Sequence, residues 1–307
     1  MTTEDRAVIL LGYGAPTGLD DIERFLTAVF GSAPSPHIVS ATQARYERIG
    51  GRSPLVSDLT SLAAFLDARL AHESVIVRAG FRFSAPTIAD VVGSLGAAGI
   101  RSFVGIPFTP FYSVWSWEGY RAAFEKAISC ANPQATVVFA DPYYNHPALV
   151  EAWVRAVSET WSRVSPSPVL FSAHSLLLTD AAAWGTYPSQ VAWLASKVAE
   201  RVGIGYFAVA YQSVGRRGGE WLGPTIDQYL EERAEKLARA ADPTLVVVPI
   251  GFLSENVETL VDLDIEYAKK LAAHDITLVR VPTPFAAGTL AQAYEEIVRD
   301  VLARTSV

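Results

Sequence analysis

Cysteine and methionine are nearly absent, with one of each, Cys130 and Met1, in 307 residues. A single thiol excludes an internal disulfide and any zinc site or iron–sulfur cluster built from several thiolates. Clustered positive charge is missing too. The longest basic feature is the pair Arg216 and Arg217 in a chain of net charge −7, which leaves no basic footprint for nucleic acid. No uninterrupted apolar run approaches the ~18 residues of a transmembrane segment. The acidic start MTTEDRAVILLGYG carries no small-residue cleavage signal, so a cytoplasmic protein is expected. Neither a G-x-S-x-G elbow nor a Walker-type G-K-[ST] occurs, so serine-hydrolase and P-loop chemistry lack their signatures.

What the chain does have is apolar residues, half of the total, with only 19% charged. That balance suits a packed globular protein long enough for two cores. Short β-branched runs recur: AVILLG, SVIVRAGF, SFVGIPF and TVVFAD, then PVLFSA, YFAVAYQ, TLVVVPIGF and ITLVRVP. They are apolar throughout, the mark of parallel strands buried on both faces. Amphipathic stretches lie between them, such as PALVEAWVRAVSETWSRV and PSQVAWLASKVAERVG, the latter with Gly203 as its cap. The pattern predicts an α/β protein of two similar Rossmann-like domains, each a parallel sheet flanked by helices. The expected halves are 1–145 and 146–286, with a C-terminal helix over 287–307 packing back on the first.

In such sheets ligands bind beyond the carboxyl ends of the strands, which directs attention to the segments just after each run. GYGAPTG spaces Gly12, Gly14 and Gly18 as G-x-G-x-x-x-G, one residue off the dinucleotide fingerprint, a weak motif for a nicotinamide or flavin cofactor. His174 follows the run PVLFSA and precedes three leucines. By position it suits either a hydrogen-bonded structural histidine or a catalytic one. In SENVETLVDLDIEYAKKL, Glu255, Glu258, Asp262 and Glu266 are spaced three, four and four, which sets four carboxylates on one helical face. Such a face is either solvated or a path for cations and protons. Phe108, Phe111, Tyr112, Trp115, Trp117 and Tyr120 crowd thirteen residues, enough to line a cleft for a large flat apolar ligand. Histidine, carboxylates and aromatic walls together suggest a macrocycle and a metal.

Over nearly its full length the chain resembles the ferrochelatases, most closely the soluble bacterial type that makes iron coproporphyrin. The segments that carry the resemblance are LLGYGAPTGLDDIERFL, RYERIGGRSPL, FSAHSL, YQSVGRRGGEWLGP and PIGFLSENVETLVDLDIE, in this order. The resemblance implies two chelatase-type Rossmann-like domains with the active-site cleft between them, and insertion of Fe(II) into a porphyrin, coproporphyrin III before protoporphyrin IX. It implies no cofactor beyond the substrate metal; the anionic sequence offers no obvious membrane anchor, so a soluble haem-acceptor protein is the expected partner. Carried over by position, His174 and Glu258 are catalytic, and His174, Glu258, Asp262, Glu266 and Tyr13 handle the metal. Tyr13, Arg45, Ser53, Phe108, Ser113 and Trp117 match substrate-binding positions. Neutral imidazole near pH 7 is a fitting acceptor for pyrrole protons, and carboxylates behind it can relay them.

The sequence departs from the family pattern at several places. Leu177 stands where proline follows H-S-L, and Phe108, or Phe111 in another register, replaces a polar His or Gln. Trp117 stands for a tyrosine, Asn256 for a histidine, and AVFGSAPSP has no arginine where close relatives carry a basic cluster. All bear on substrate anchoring, because a bidentate guanidinium–carboxylate contact is strong and directional. A paralogue that carries a metallated tetrapyrrole, or inserts another metal, is the alternative reading; a nucleotide-dependent enzyme on the same scaffold is a third.

Overall fold

The structure, a computed structural model, describes residues 6–178, 186–215 and 218–304. Arg216 and Arg217 lie outside the described residues. All eight apolar runs form strands, in the expected order: β1 (Arg6–Gly12), β2 (Val75–Phe81), β3 (Ser102–Pro107) and β4 (Thr136–Phe139), then β5 (Val169–His174), β6 (Phe207–Gln212), β7 (Thr244–Val248) and β8 (Thr277–Arg280). They build two parallel four-stranded sheets, ordered β2-β1-β3-β4 and β6-β5-β7-β8. The apolar residues of β1 and of β5 are fully buried, which is why both read as unbroken hydrophobic runs. β4 and β8, at the sheet edges, are more exposed and shorter.

Helical crossovers join the parallel strands. Their starts are set by local chemistry: Thr87 and Asp90 form a capping box before Ile88–Ala97, as do Thr225 and Gln228 before Ile226–Ala238. The helix Tyr187–Val202 ends on Gly203, left-handed at φ 82°, as its sequence predicts. Among the described residues no helix is long and apolar enough to cross a membrane.

The chain separates into two compact units. The first runs through Pro110 and takes in Val114–Pro142 and the chain from Tyr294 on; the second holds Phe111–Ser113 and Tyr143–Ala293. The division falls three residues before the expected boundary at 145. The last helix, Leu290–Arg304, starts three residues later than expected, and the chain joins the first unit only from Tyr294. The reasons are specific contacts. Tyr294 packs its ring against Phe108 at 5.7 Å and donates to the Pro107 carbonyl at 3.3 Å. Phe111 packs its ring against Tyr187 at 5.9 Å, and the Tyr112 amide donates to Gln190 Oε1 at 2.7 Å.

In each sheet the strand order turns back beside the first strand, between β1 and β3 and between β5 and β7. Such a reversal opens a crevice at the carboxyl ends, where open α/β sheets bind ligands.

Candidate active site

In the first unit, β1 stops at Gly12 and Tyr13 is the next residue. The Arg82 and Phe83 amides, just past β2, donate to the carbonyls of Gly12 and Tyr13 at 3.0 and 3.1 Å. Tyr13 is thereby held at the switch point with 40% of its surface exposed. Its ring meets Phe83 edge-on at 4.7 Å, and the Arg82 guanidinium lies 4.7 Å over the other ring of that pair. Gly14 sits at φ 96°, and a Cβ there would fall 2.3 Å from Ser84 Oγ. Gly14 therefore serves a tight turn against Ser84, while Gly12 is needed for the close approach of Leu59 and Phe81. A 3₁₀ turn, Leu19–Asp21, follows Gly18 and leads into the α-helix at Ile22. Its first turn carries Asp20 and Asp21, whose negative charge opposes a pyrophosphate there, and the dinucleotide reading falls away.

Much of the expected aromatic wall is core. Phe111, Trp117 and Tyr120 are buried, with Trp117 wholly enclosed and its ring edge-on to Phe139 at 5.8 Å. Phe108 is buried against Tyr294, so the two aromatic departures from the family pattern, Phe108 and Trp117, are taken up by packing. Trp115 alone of the six is mostly exposed, at 53%. Ser113 is buried, and Ser53, also buried, accepts from the Leu55 amide at 3.3 Å. Arg45 is half-buried on the helix Pro36–Glu47.

In the second unit His174 is the last residue of β5, at the other switch point. Gly251, in the loop after β7, passes so close to β5 that a Cβ would lie 2.7 Å from the Ala173 Cα. Its amide donates to Ser172 at 3.1 Å, which brings the following segment over the strand end. That segment delivers Glu258, whose Oε1 is 3.2 Å from His174 Nε2. The other ring nitrogen, Nδ1, lies 2.5 Å from the Ser175 carbonyl. An N–H on that side fixes the ring with Nε2 toward the carboxylate. Tyr187 donates from its hydroxyl to the His174 carbonyl at 3.1 Å.

Glu258 opens a π-helix, Glu258–Tyr267, that continues as the α-helix Ala268–Ala272. An ordinary α-helix was the expectation; the i→i+5 winding is wider and sets residues four and five apart over one another. Down this helix Glu258 is half-buried, Asp262 is buried and Glu266 is exposed, so the carboxylates run from His174 to solvent. Glu255 is not one of them. It is buried before the helix starts, accepting from Arg280 at 2.8 Å and from the Thr283 amide at 3.1 Å. Arg280 also grips Asp264 on the helix, its Nη2 at 2.9 Å from Oδ2, so one guanidinium fastens the loop and the helix to β8. Asn256 has a local task as well: its Oδ1 accepts from the Glu258 and Thr259 amides at 2.8 and 3.3 Å and caps the turn.

Burial opposes the charged imidazole, but the Glu258 carboxylate beside it, the Ser175 carbonyl and more distant Asp262 prevail and push His174 up to about 9. This corrects the expectation of a neutral imidazole near pH 7. At neutral pH the resting pair is imidazolium and carboxylate, titrating as a unit. The pair can exchange a proton internally, and Asp262 and Glu266 can carry it outward. Among the described residues no three His, Cys, Asp or Glu side chains converge to hold an ion. Of the five residues expected to handle metal, the structure brings His174 and Glu258 together, with Asp262 and Glu266 farther along the helix; Tyr13 belongs to the first unit.

The departure at Leu177 proves structurally mild. Residues 176–178 pair with 220–222, but the bonds run through Leu176 and Leu178, from the Leu222 amide at 2.8 Å and to the Glu220 carbonyl at 2.7 Å. A proline at 177 would leave both intact. Sequence reasoning missed Gln212 and Ser213, at the end of β6. Gln212 lies in register with His174, and its Nε2 donates to the Glu258 carbonyl at 3.3 Å. The available signal was their place at a strand end.

The sequence model of the family described as Ferrochelatase matches residues 5–302. The chain is 29% identical over 295 residues to the coproporphyrin III ferrochelatase of Anoxybacillus flavithermus, covering 92% of each chain. To the ferrochelatase of Herpetosiphon aurantiacus it is 31% identical over 285 residues, covering 90% of this chain and 92% of the relative. Among solved structures, that of SirB from Bacillus subtilis with Fe3+ aligns over 98% of this chain and 97% of its own, with a TM-score of 0.62 and 16% identity. That likeness concerns the fold, which is of the two-domain chelatase type. The chain belongs to the ferrochelatase family.

Proposed function

We propose that this protein inserts ferrous iron into coproporphyrin III, releasing two protons per metal bound, in haem biosynthesis in the cytoplasm. The observation that carries the reading is the His174–Glu258 pair, 3.2 Å apart at the strand reversal between β5 and β7. It lies in a chain that is 29% and 30% identical to two named coproporphyrin III ferrochelatases. The pyrrole nitrogens must each surrender a proton as the metal enters, so the site needs an acceptor and an exit. His174 takes up a pyrrole proton once its resting proton has passed to Glu258, and Asp262 and Glu266 lead protons to solvent. Tyr13, exposed and backed by Phe83, offers a flat apolar face to the ring. Metal exchange for protons changes no oxidation state, so the reaction calls for no redox cofactor. The product passes to a soluble acceptor protein.

Anaerobic mixing of the protein with Fe(II) and, separately, coproporphyrin III and protoporphyrin IX tests the reading through the porphyrin absorbance bands. Faster turnover of coproporphyrin III is expected. Binding without turnover of either ring would replace the enzyme with a tetrapyrrole carrier. Strong binding of the protein to liposomes would overturn the soluble hand-over.

A further inference from the structure

Ser213 is in an unusual position for a serine. It follows β6 with φ 60°, the left-handed region that a non-glycine residue rarely occupies. Local strain of this kind persists only where surrounding contacts hold it. Two such contacts are present in adjacent residues. Gln212, fully buried and in register with His174, ties the strand end to the first residue of the π-helix through the Glu258 carbonyl. Ser213, turned by its backbone, donates from Oγ to Asp262 Oδ2 at 2.8 Å, one turn farther along. Asp262 is itself buried, so the direction of its carboxylate is set by the protein groups around it, Ser213 among them.

We propose that Ser213 is a positioning residue for metal handling: its hydroxyl fixes the Asp262 carboxylate in line between Glu258 and Glu266. This rests on the metal-insertion reading above. The hydroxyl touches neither ring nor metal; it acts through Asp262. Its loss therefore weakens the step that uses the acidic line and spares recognition of the macrocycle. Outer groups that orient metal-handling side chains are commonly worth about 10- to 100-fold.

The test compares wild type with Ser213→Ala and Ser213→Gly, varying ferrous iron at saturating coproporphyrin III and then the reverse. Glycine is at ease at φ 60° and lacks the hydroxyl, so it separates backbone from side chain. Both variants should lose about tenfold in kcat/KM for iron with the porphyrin KM unchanged, and Ser213→Gly should melt no lower than Ser213→Ala. In an Asp262→Ala background, Ser213→Gly should have no further effect on iron kinetics, since the partner is gone. Wild-type iron kinetics in Ser213→Gly would overturn the proposal, as would an equal loss toward both substrates or additive effects with Asp262→Ala. A wild type that inserts no metal would instead overturn the functional reading, and this inference with it.

Discussion

The two halves share one plan and differ in what they place at its end. Each sheet has its strands in the order second, first, third, fourth, and each third strand leads into π-helical backbone, Val114–Glu118 in one half and Glu258–Tyr267 in the other. At the end of the first strand one half presents Tyr13, edge-on to Phe83 with Arg82 beside that ring. At the corresponding point the other presents His174, paired to Glu258. The π segment of the first half turns Trp117 into the core; that of the second carries carboxylates outward. The same topology thus supplies an aromatic, cationic edge in one half and a proton-active edge in the other. Fold fixes where a site lies, and the residues at the strand ends fix what it does.

Removing the titratable edge should have the largest effect. His174→Ala should lower the insertion rate about 10²- to 10⁴-fold while porphyrin binding persists, as seen by absorbance titration. Tyr13→Ala should do the reverse, weakening porphyrin binding more than turnover of bound ring. Similar losses of binding in both variants would erase the division of labour between the halves.

Next in size is the fastening of the acidic helix. Arg280→Ala leaves Glu255 buried without its cation, and breaking a buried pair of this kind costs about 3–5 kcal/mol. Denaturant unfolding should show it. In the first half Arg82 makes the comparable tie, donating to the Trp115 carbonyl at 3.1 Å, but to a carbonyl and not to a buried carboxylate, so Arg82→Ala should cost less, about 1 kcal/mol.

The pH dependence sharpens the contrast further. His174 is raised to about 9 in the folded chain against an ordinary 6.5, so its stabilising contribution is whole below 6.5 and fades as pH rises toward 9. With its side chain 38% exposed the contribution is screened, at most about 1 kcal/mol. Melting temperatures across pH 6–9 should fall more in wild type than in His174→Gln. Insertion should rise over the same interval as the imidazole gives up its proton. Glu258→Gln removes the main charge that holds His174 up, so its imidazole resonances should titrate at lower pH by NMR, with burial now opposed more weakly, by the Ser175 carbonyl and Asp262. The smallest effect is Tyr13→Phe, which keeps the ring contacts and should leave stability within about 0.5 kcal/mol.

Much of the fold was legible because buried parallel strands leave a direct trace: both faces of β1 and β5 are covered by protein along Ala7–Leu11 and Val169–Ala173, so the run is apolar without alternation. Helix ends were legible where a single residue type has a single use, as with Gly203. His174 and Glu258 were legible as residues beyond strand ends. The π winding was not, since carboxylates four apart suit an α-helix as well. Glu255 showed the limit of spacing most clearly: one turn before Glu258 by count, it is occupied by Arg280 and Thr283. Phe108 and Trp117 read as ligand walls because aromatic density cannot tell a cleft from a core.

By itself the sequence determined the eight strands, their parallel sense, the α/β class and the two strand ends where chemistry belongs, because these depend on local periodicity and on which residues follow each run. Only the tertiary structure decided that His174 rests protonated, that Gln212 and Ser213 clasp the π-helix, and that Arg280 binds its loop. Each of these depends on distances of about 3 Å between residues 25 to 84 positions apart in the chain, and electrostatic and hydrogen-bond energies fall off too steeply with distance for composition or spacing to encode them.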